Sequence, residues 1–277
     1  MGSIFKPLTL AAGLDAGVIT PETTYFDSGT IYVDKHQISN YDGKARGLVN
    51  MQSVLNNSLN TGAAFIMGEL GKEKFSEYMF AFGLGEKSRV DLPSEAANLV
   101  ENLRSPRNIE HATASFGQGI AITPLVMVKT LSALANGGVL TTPHLLKRID
   151  YTDGRSKNIS AKKGDRVIKS ETAEEVTRML VKVVDEALLQ GTVKMPNYSI
   201  AAKTGTAQIA KEGARGYYDD RFFHSFFGYF PAFDARFLVF LFTYNPKGVR
   251  YASESLSPPF LGITKFLINY YEIPPDR

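Results

Sequence analysis

The chain has 277 residues, of which 44% are hydrophobic and 21% are charged, and its formal net charge at pH 7 is +3. This is a globular composition, which excludes a disordered chain, a collagen-like chain and a coiled coil. The small net charge argues against a nucleic-acid-binding surface, and the absence of cysteine excludes thiol catalysis, zinc–thiolate sites and disulfides. No apolar stretch reaches the roughly 18 to 20 residues that cross a bilayer, and the first residues lack the pattern of a signal peptide.

Hydrophobic periodicity predicts the elements in chain order. A helix is expected over 3–17, with Ser3 as its N-cap or first-turn residue and Pro7 in the first turn. Strand and loop follow over 20–43, helices over 47–70 and 72–82, a loop-rich segment over 86–110, a helix over 123–136, a small β region over 139–169 and a helix over 170–190. Three strands over 198–209, 222–230 and 236–244 and a helix over about 259–271 complete the chain. With no internal repeat, this order predicts one α+β domain over 1–277.

Two short motifs in helical segments could carry chemistry. Ser3 and Lys6 lie three residues apart, so a hydroxyl and an amine share one helix face. A lysine whose pKa is lowered by burial or by cationic neighbours can take the proton of a serine hydroxyl. Ser58-Leu59-Asn60 is the second motif. Each also has an ordinary structural explanation. The first motif could be a helix cap followed by a solvated lysine, and the second could be a polar helix end.

A third motif interrupts an apolar strand. Lys203-Thr204-Gly205-Thr206 places a glycine within strand-forming residues, which often marks the close approach of a ligand backbone. Lys203 offers a cation to a carboxylate, and the threonines offer hydroxyl groups.

In this order, Ser-x-x-Lys, Ser-x-Asn and Lys-Thr-Gly resemble the motif set of the penicillin-binding proteins and serine β-lactamases. Further segments resemble class B penicillin-binding proteins, the monofunctional peptidoglycan D,D-transpeptidases. They are Gly2-Ser3-Ile4-Phe5-Lys6-Pro7, Asp91-Leu92-Pro93-Ser94-Glu95, Phe116-Gly117-Gln118-Gly119-Ile120 with Thr123-Pro124-Leu125 after it, and His224-Ser225-Phe226-Phe227-Gly228-Tyr229-Phe230-Pro231. Ser94 departs from the glycine that is usual in the family. The resemblance covers the whole chain and implies an antiparallel sheet flanked by helices, with a mainly helical subdomain.

The resemblance implies serine acyl transfer on the D-Ala-D-Ala end of a peptidoglycan stem peptide, without metal or cofactor. Neutral Lys6 would take the proton of Ser3, and the backbone N–H groups of Ser3 and Thr206 would hold the oxyanion. Ser58 would relay a proton to the departing D-alanine, and Asn60 would hold the substrate amide and help to orient Lys6. The terminal carboxylate would be bound by Lys203, Thr204, Gly205 and Thr206. A β-lactam would leave Ser3 acylated.

The resemblance also implies a membrane-anchored parent protein on the extracytoplasmic face of the cell membrane. Its partners would be glycosyltransferase and division or elongation proteins, and not nucleic acid. Three alternatives stay open: a serine β-lactamase, a D,D-carboxypeptidase and a catalytically inert penicillin-binding sensor or scaffold. For the β-lactamase, Glu95-Ala96-Ala97-Asn98-Leu99 offers a glutamate, but its Asn precedes the Leu, opposite to the class A order.

Family domains carry several tens of residues before the catalytic serine, including two strands of a five-stranded sheet, whereas two residues precede Ser3 here. We therefore expect a domain that is incomplete at its N-terminus and a sheet that lacks those two strands. The strand over 236–244 is apolar on both faces and is expected at an exposed edge, where it favours aggregation. With Ser3 at a fraying terminus, the chain by itself is expected to be poorly stable and weakly active.

Overall fold

A computed structural model describes residues 1–214 and 216–277. The described residues form eight α-helices: α1 (Lys6–Asp15), α2 (Met51–Asn56), α3 (Asn60–Leu70), α4 (Lys72–Ala81), α5 (Asn108–Ala114), α6 (Pro124–Ala135), α7 (Ser170–Lys182) and α8 (Ala252–Tyr270). The strands are β1 (Thr24–Asp27), β2 (Thr30–Val33), β3 (His36–Ser39), β4 (Gly47–Asn50), β5 (Val139–Thr142), β6 (Arg148–Asp150), β7 (Ser156–Asn158), β8 (Lys162–Arg166), β9 (Ala201–Ala210), β10 (Tyr217–Phe230) and β11 (Phe237–Tyr244). A 3₁₀ turn over Gly2–Phe5 leads directly into α1.

The main sheet is antiparallel and has the order β11-β10-β9, which confirms the predicted α+β class and its three C-terminal strands. Gly205 of β9 lies opposite Ser225 of β10 in the register. The strand β11 forms one edge of this sheet, as predicted for 236–244, and Phe242 is 51% exposed on it. The other edge is β9, which carries the Lys-Thr-Gly motif. Within residues 1–214 and 216–277, two-stranded sheets pair β1 with β4, β2 with β3, β5 with β8 and β6 with β7.

Helix α1 lies at the centre of the helical part of the molecule. Its residues from Lys6 to Gly13 are all buried, and it packs against α3, α4 and α7. A helix that is apolar on every side is stable only when neighbours surround it, and its leucine, alanine and threonine side chains meet that requirement. This burial is the structural reason why Lys6, at the first position of the helix, is withdrawn from water.

A second apolar cluster joins the sheet to α8. The rings of Phe226 and Phe260 lie 4.4 Å apart between centroids, and both side chains are buried. Burial of each such ring contributes roughly 1.5–3 kcal/mol relative to an exposed ring. This cluster fixes the N-terminus of α8 beside β9.

Two predicted boundaries were wrong because tertiary contacts override local periodicity. The segment predicted to be helical over 47–70 begins as strand β4, which pairs with β1. Asn50 then caps α2 by accepting a hydrogen bond from the backbone N–H of Ser53 at 3.0 Å. A turn over 57–59 separates α2 from α3, and Ser58 adopts a left-handed φ of 54° within it.

Two further helices differ from the predictions. Helix α5 begins at Asn108, within the last residues of the segment over 86–110 that was predicted to be loop-rich, and continues beyond it to Ala114. The last helix begins at Ala252 rather than near 259, because Glu254 accepts a hydrogen bond from the backbone N–H of Tyr251 and starts the helix early. Pro258 and Pro259 are accommodated inside it. Among the described residues, no helix combines the length and apolar character that crossing a bilayer requires.

Candidate active site

The motif residues meet in a cleft with a volume of about 560 Å³ between β9 and the helical part of the molecule. Six of the eight predicted site residues line it: Ser3, Ser58, Asn60, Lys203, Thr204 and Thr206. Lys6 lies behind this surface and is 1% exposed. Residues that are far apart in the sequence therefore line the same cleft.

Ser3 and Lys6 form the innermost pair. Ser3 lies in the 3₁₀ turn and Lys6 is the first residue of α1, and Lys6 Nζ lies 2.9 Å from Ser3 Oγ. Burial first, and then the positive charge of Lys203, hold the pKa of Lys6 well below its usual value. A neutral amine at hydrogen-bond distance from a hydroxyl can accept its proton, so the pair has the geometry of a serine nucleophile and its base.

Ser58 connects the two lysines. Its Oγ lies 3.2 Å from Lys6 Nζ and accepts a hydrogen bond from Lys203 Nζ at 3.1 Å, and its carbonyl also accepts from Lys6. The left-handed φ of Ser58 points the carbonyl and the hydroxyl toward the same amine. Such a conformation costs a non-glycine residue roughly 1–2 kcal/mol, so the surrounding structure must hold it.

Lys203 is 3% exposed on β9, and burial lowers its pKa to about 8. Its Nζ also donates to the Thr204 carbonyl at 3.1 Å. The neighbouring Thr206 Oγ1 accepts a hydrogen bond from the backbone N–H of Ala252, the first residue of α8, at 3.0 Å. The Thr206 hydroxyl hydrogen is therefore left to donate to another group, and this side of the cleft offers donors to an anion.

Gly205 allows the 3₁₀ turn to pack directly on β9. A Cβ atom at this position would lie 2.8 Å from the Met1 carbonyl oxygen, closer than real Cβ contacts. The Ser225 hydroxyl donates to the same carbonyl at 2.8 Å. The glycine therefore sets the distance between the turn that carries Ser3 and the strand that carries Lys203. The backbone that approaches it closely belongs to this chain, whereas the sequence predicted that of a ligand.

Asn60 has a different partner from the one expected. It lines the cleft, but its Nδ2 donates to the Ser39 carbonyl at 2.9 Å rather than contacting Lys6. Lys6 is oriented instead by Ser3 and Ser58. The Glu95 carboxylate accepts from the Ser88 N–H and hydroxyl and is not among the residues that line the cleft.

Sequence reasoning missed several residues of the cleft wall. The Tyr41 and Tyr251 rings meet edge to face with centroids 5.8 Å apart, and Arg250 lines the cleft beside Tyr251. Tyr41 lies more than 200 positions before Arg250 and Tyr251 in the sequence, and no local pattern indicates that they meet. Gln118 also lines the cleft, and its Gly-Gln-Gly context was the signal that could have identified it.

Comparison with known proteins identifies relatives of this chain. Residues 1–264 match the family model of the penicillin binding protein transpeptidase domain. Stage V sporulation protein D of Bacillus subtilis is 32% identical over 265 residues, which cover 94% of this chain and 40% of that protein. The peptidoglycan D,D-transpeptidase FtsI homolog of Mesostigma viride is 28% identical over 301 residues, with 99% of this chain and 50% of that protein covered.

A solved structure gives the same result. Penicillin binding protein 3 from Mycobacterium tuberculosis, complexed with aztreonam, matches with a TM-score of 0.89 and 27% identity over 100% of this chain and 63% of that chain. The chain spans about two fifths to one half of the length of the two curated relatives. Because the family model matches nearly the whole sequence, the chain belongs to the penicillin binding protein transpeptidase domain family.

Proposed function

We propose that this chain is the catalytic part of a serine-type peptidoglycan D,D-transpeptidase, which cross-links stem peptides through an acyl-enzyme. The observation that carries the proposal is the 2.9 Å contact between Ser3 Oγ and the buried Lys6 Nζ, with Ser58 joining Lys6 to Lys203. Two relatives support it, one named a peptidoglycan D,D-transpeptidase and one solved with a β-lactam.

Acylation begins when neutral Lys6 accepts the Ser3 proton while Ser3 Oγ attacks the carbonyl carbon of the penultimate D-alanine. The backbone N–H groups of Ser3 and Thr206 hold the oxyanion that forms. The backbone N–H and C=O groups of residues two positions apart in a strand point to the same side, so the Thr206 N–H shares an edge of β9 with the Thr204 carbonyl that Lys203 contacts. Each such donor is worth about 3 kcal/mol in the transition state.

The same groups complete the bond cleavage. The proton on Lys6 passes through the Ser58 hydroxyl to the amine of the terminal D-alanine as the C–N bond breaks. Lys203 carries a positive charge at neutral pH, because its pKa of about 8 lies above 7, and it binds the terminal carboxylate with Thr204 and Thr206. Asn60 binds the backbone amide of the stem peptide.

An amine of a second stem peptide then attacks the ester carbonyl, releases Ser3 and forms the cross-link. The position of Glu95 disfavours a β-lactamase of the class A type, since its carboxylate is bound to Ser88 and does not line the cleft. A β-lactam opens on Ser3 and remains attached. Action on stem peptides places the chain on the extracytoplasmic face, beside glycosyltransferase and division or elongation proteins, and residues 1–277 act there as one domain.

Labelling with a fluorescent penicillin, followed by intact mass measurement, tests the proposal. We expect one adduct per chain, on the peptide that contains Ser3, and no adduct in Ser3→Ala. Ser132→Ala is the matched control, because the hydroxyl of this α6 serine donates within its own helix to the Lys129 carbonyl at 2.7 Å, and the variant should label as the wild type does. Labelling of Ser3→Ala at the wild-type rate, or rapid turnover of a chromogenic cephalosporin, contradicts the proposal.

A further inference from the structure

Helix α3, which follows the Ser58 turn, has no capping side chain of its own. Its N-cap is Leu59, whose side chain makes no cap hydrogen bond. The backbone N–H groups of Asn60 and Thr61 donate instead to Asn40 Oδ1, at 3.0 Å and 3.3 Å. Asn40 lies just after β3 and therefore caps a helix that begins 20 residues later in the chain.

A buried carboxylate determines which way the Asn40 amide points. Asp27 is fully buried at the end of β1, and Asn40 Nδ2 donates to both of its oxygens, at 2.9 Å and 3.0 Å. A carboxylate only accepts hydrogen bonds, so a reversed amide would set its oxygen against the carboxylate. Asp27 thereby keeps Asn40 Oδ1 directed at α3. Asp27 is itself held by the backbone N–H groups of Gly29 and Arg46.

A second contact joins Asp27 directly to the helix. The Thr61 hydroxyl donates to Asp27 Oδ1 at 2.8 Å and lies 3.1 Å from the Tyr25 hydroxyl. Thr61 is fully buried, as is Leu59 before it. Both sides of Asn60 are thus anchored in the core, and the position of Ser58, two residues earlier, follows from that anchoring.

We propose that Asp27 is a positioning residue for the acylation step, which through Asn40 and Thr61 holds the Ser58 turn in its left-handed conformation. The inference rests on the proposed function, since Ser58 is its proton relay. The strained φ of Ser58 persists only while the start of α3 is fixed, and that conformation brings both Ser58 oxygens to Lys6. Of the carboxylate-binding groups on β9, Lys203 contacts the Ser58 turn, whereas the hydrogen bond of the Thr206 hydroxyl goes to Ala252 and not to the turn.

This arrangement predicts that Asp27 affects the rate of acylation more strongly than the binding that precedes it. In Asp27→Asn, an amide group faces the donors of Asn40 and Thr61, so the start of α3 shifts. We expect the limiting acylation rate for a fluorescent penicillin to fall about 10- to 100-fold, as displacements near 1 Å do at reacting groups. The pre-acylation dissociation constant should change by less than the rate does, because Thr204 and Thr206 keep their places on β9, and the final labelling should still reach one per chain.

The matched control is Asp15→Asn. Asp15 also caps a helix across space, because it accepts hydrogen bonds from the Lys169 N–H and the Thr172 hydroxyl at the start of α7. This variant loses a comparable cap far from the cleft and should acylate at the wild-type rate. The double variant Asp27→Asn/Asn40→Asp exchanges the amide and the carboxylate and should regain part of the rate. If Asp27→Asn does not fold, Thr61→Val removes the hydroxyl contacts to Asp27, Tyr25 and Asn40 Oδ1, leaves the bonds between Asn40 and Asp27 in place, and should show the same effect in smaller measure.

Amide hydrogen exchange of the 277-residue chain tests the positioning role of Asp27 separately from the proposed transpeptidase function. The amides of Asn60 and Thr61 should exchange faster in Asp27→Asn and unchanged in Asp15→Asn. Unchanged exchange in Asp27→Asn, or equal losses of acylation rate in the two variants, overturns the positioning role. If the wild type is not acylated but these two amides still lose protection in Asp27→Asn, the proposed function fails and the hold of Asp27 on the Ser58 turn stands.

Discussion

A methyl group added at Gly117 should displace Ser3, the proposed nucleophile, through the contact of Gly117 with Gly2. Gly117 belongs to the Gly-Gln-Gly segment, has a φ of 78°, and accepts a hydrogen bond from the Gly2 N–H at 3.2 Å. A Cβ atom there would lie 2.8 Å from Gly2 N and closer still to the Gly2 carbonyl oxygen. Gly2 precedes Ser3, so any movement that relieves this contact also moves the reactive hydroxyl.

The size of the effect follows from the geometry. Ordinary contact begins at 3.4 Å, so Gly2 must retreat by at least about 0.6 Å in Gly117→Ala. The left-handed φ costs alanine roughly 1–2 kcal/mol, and overpacking adds roughly 1–3 kcal/mol to the loss in the free energy of unfolding. Displacement of the nucleophile should also lower the acylation rate about 10- to 100-fold.

Gly154→Ala is the control that separates the cost of the left-handed backbone from the steric contact with Gly2. Gly154 has a φ of 85° in the turn between β6 and β7, and nothing lies within 4 Å of a Cβ built there. This variant should lose roughly 1–2 kcal/mol of unfolding free energy and keep its acylation rate. Urea unfolding and fluorescent-penicillin kinetics measure the two quantities. If the two variants acylate equally fast, the packing of Gly117 against Gly2 does not position Ser3.

Two further predictions concern pH and association. The acylation kcat/KM should rise with pH as Lys6, whose pKa is lowered by burial and by the charge of Lys203, loses its proton. It should fall above pH about 8 as Lys203 loses its own proton, and a profile that stays flat to pH 10 would contradict these roles. Phe242→Lys should reduce concentration-dependent light scattering, because a charge on edge strand β11 opposes strand pairing between chains. Phe233→Lys is the control, since this ring is similarly exposed but lies outside the described strands, and it should not reduce the scattering. Equal effects of the two substitutions would exclude pairing through β11.

The parts of the site that follow local spacing were the ones the sequence could predict. Ser3 and Lys6 are three residues apart, and the backbone geometry of a helical turn brings them together with little help from the rest of the fold. Lys203 and Ser58 are 145 residues apart, and only the order of the motifs, through their resemblance to a family, indicated their contact. Periodicity predicted that each segment would form a helix or a strand but not which side chains would meet.

The errors have the same origin. Leu48 and Val49 continue a helical pattern, yet they lie in β4, because pairing with β1 satisfies their backbone groups. The Asn40 cap and the Asp27 carboxylate behind it left no signal, since a single amide in a loop is ordinary in any sequence. Residues that orient other side chains from a distance act through burial and hydrogen bonds. Burial and hydrogen bonds depend on tertiary contacts, which the sequence alone does not reveal.

The proposed mechanism requires different charge states, one neutral and one positive, of two lysines that contact the same serine hydroxyl. Both are buried, so neither has enough water to stabilise its ammonium group fully. Lys6 stands at the first position of α1, where the positive end of the helix dipole further disfavours a charge. Lys203 stands on an edge strand beside the Thr204 carbonyl, a negative dipole that favours its charge, and the charge retained there disfavours protonation of Lys6. In the proposed mechanism one residue type therefore serves as base and as carboxylate anchor, because burial lowers the pKa of both lysines and the charge of Lys203 lowers that of Lys6 further.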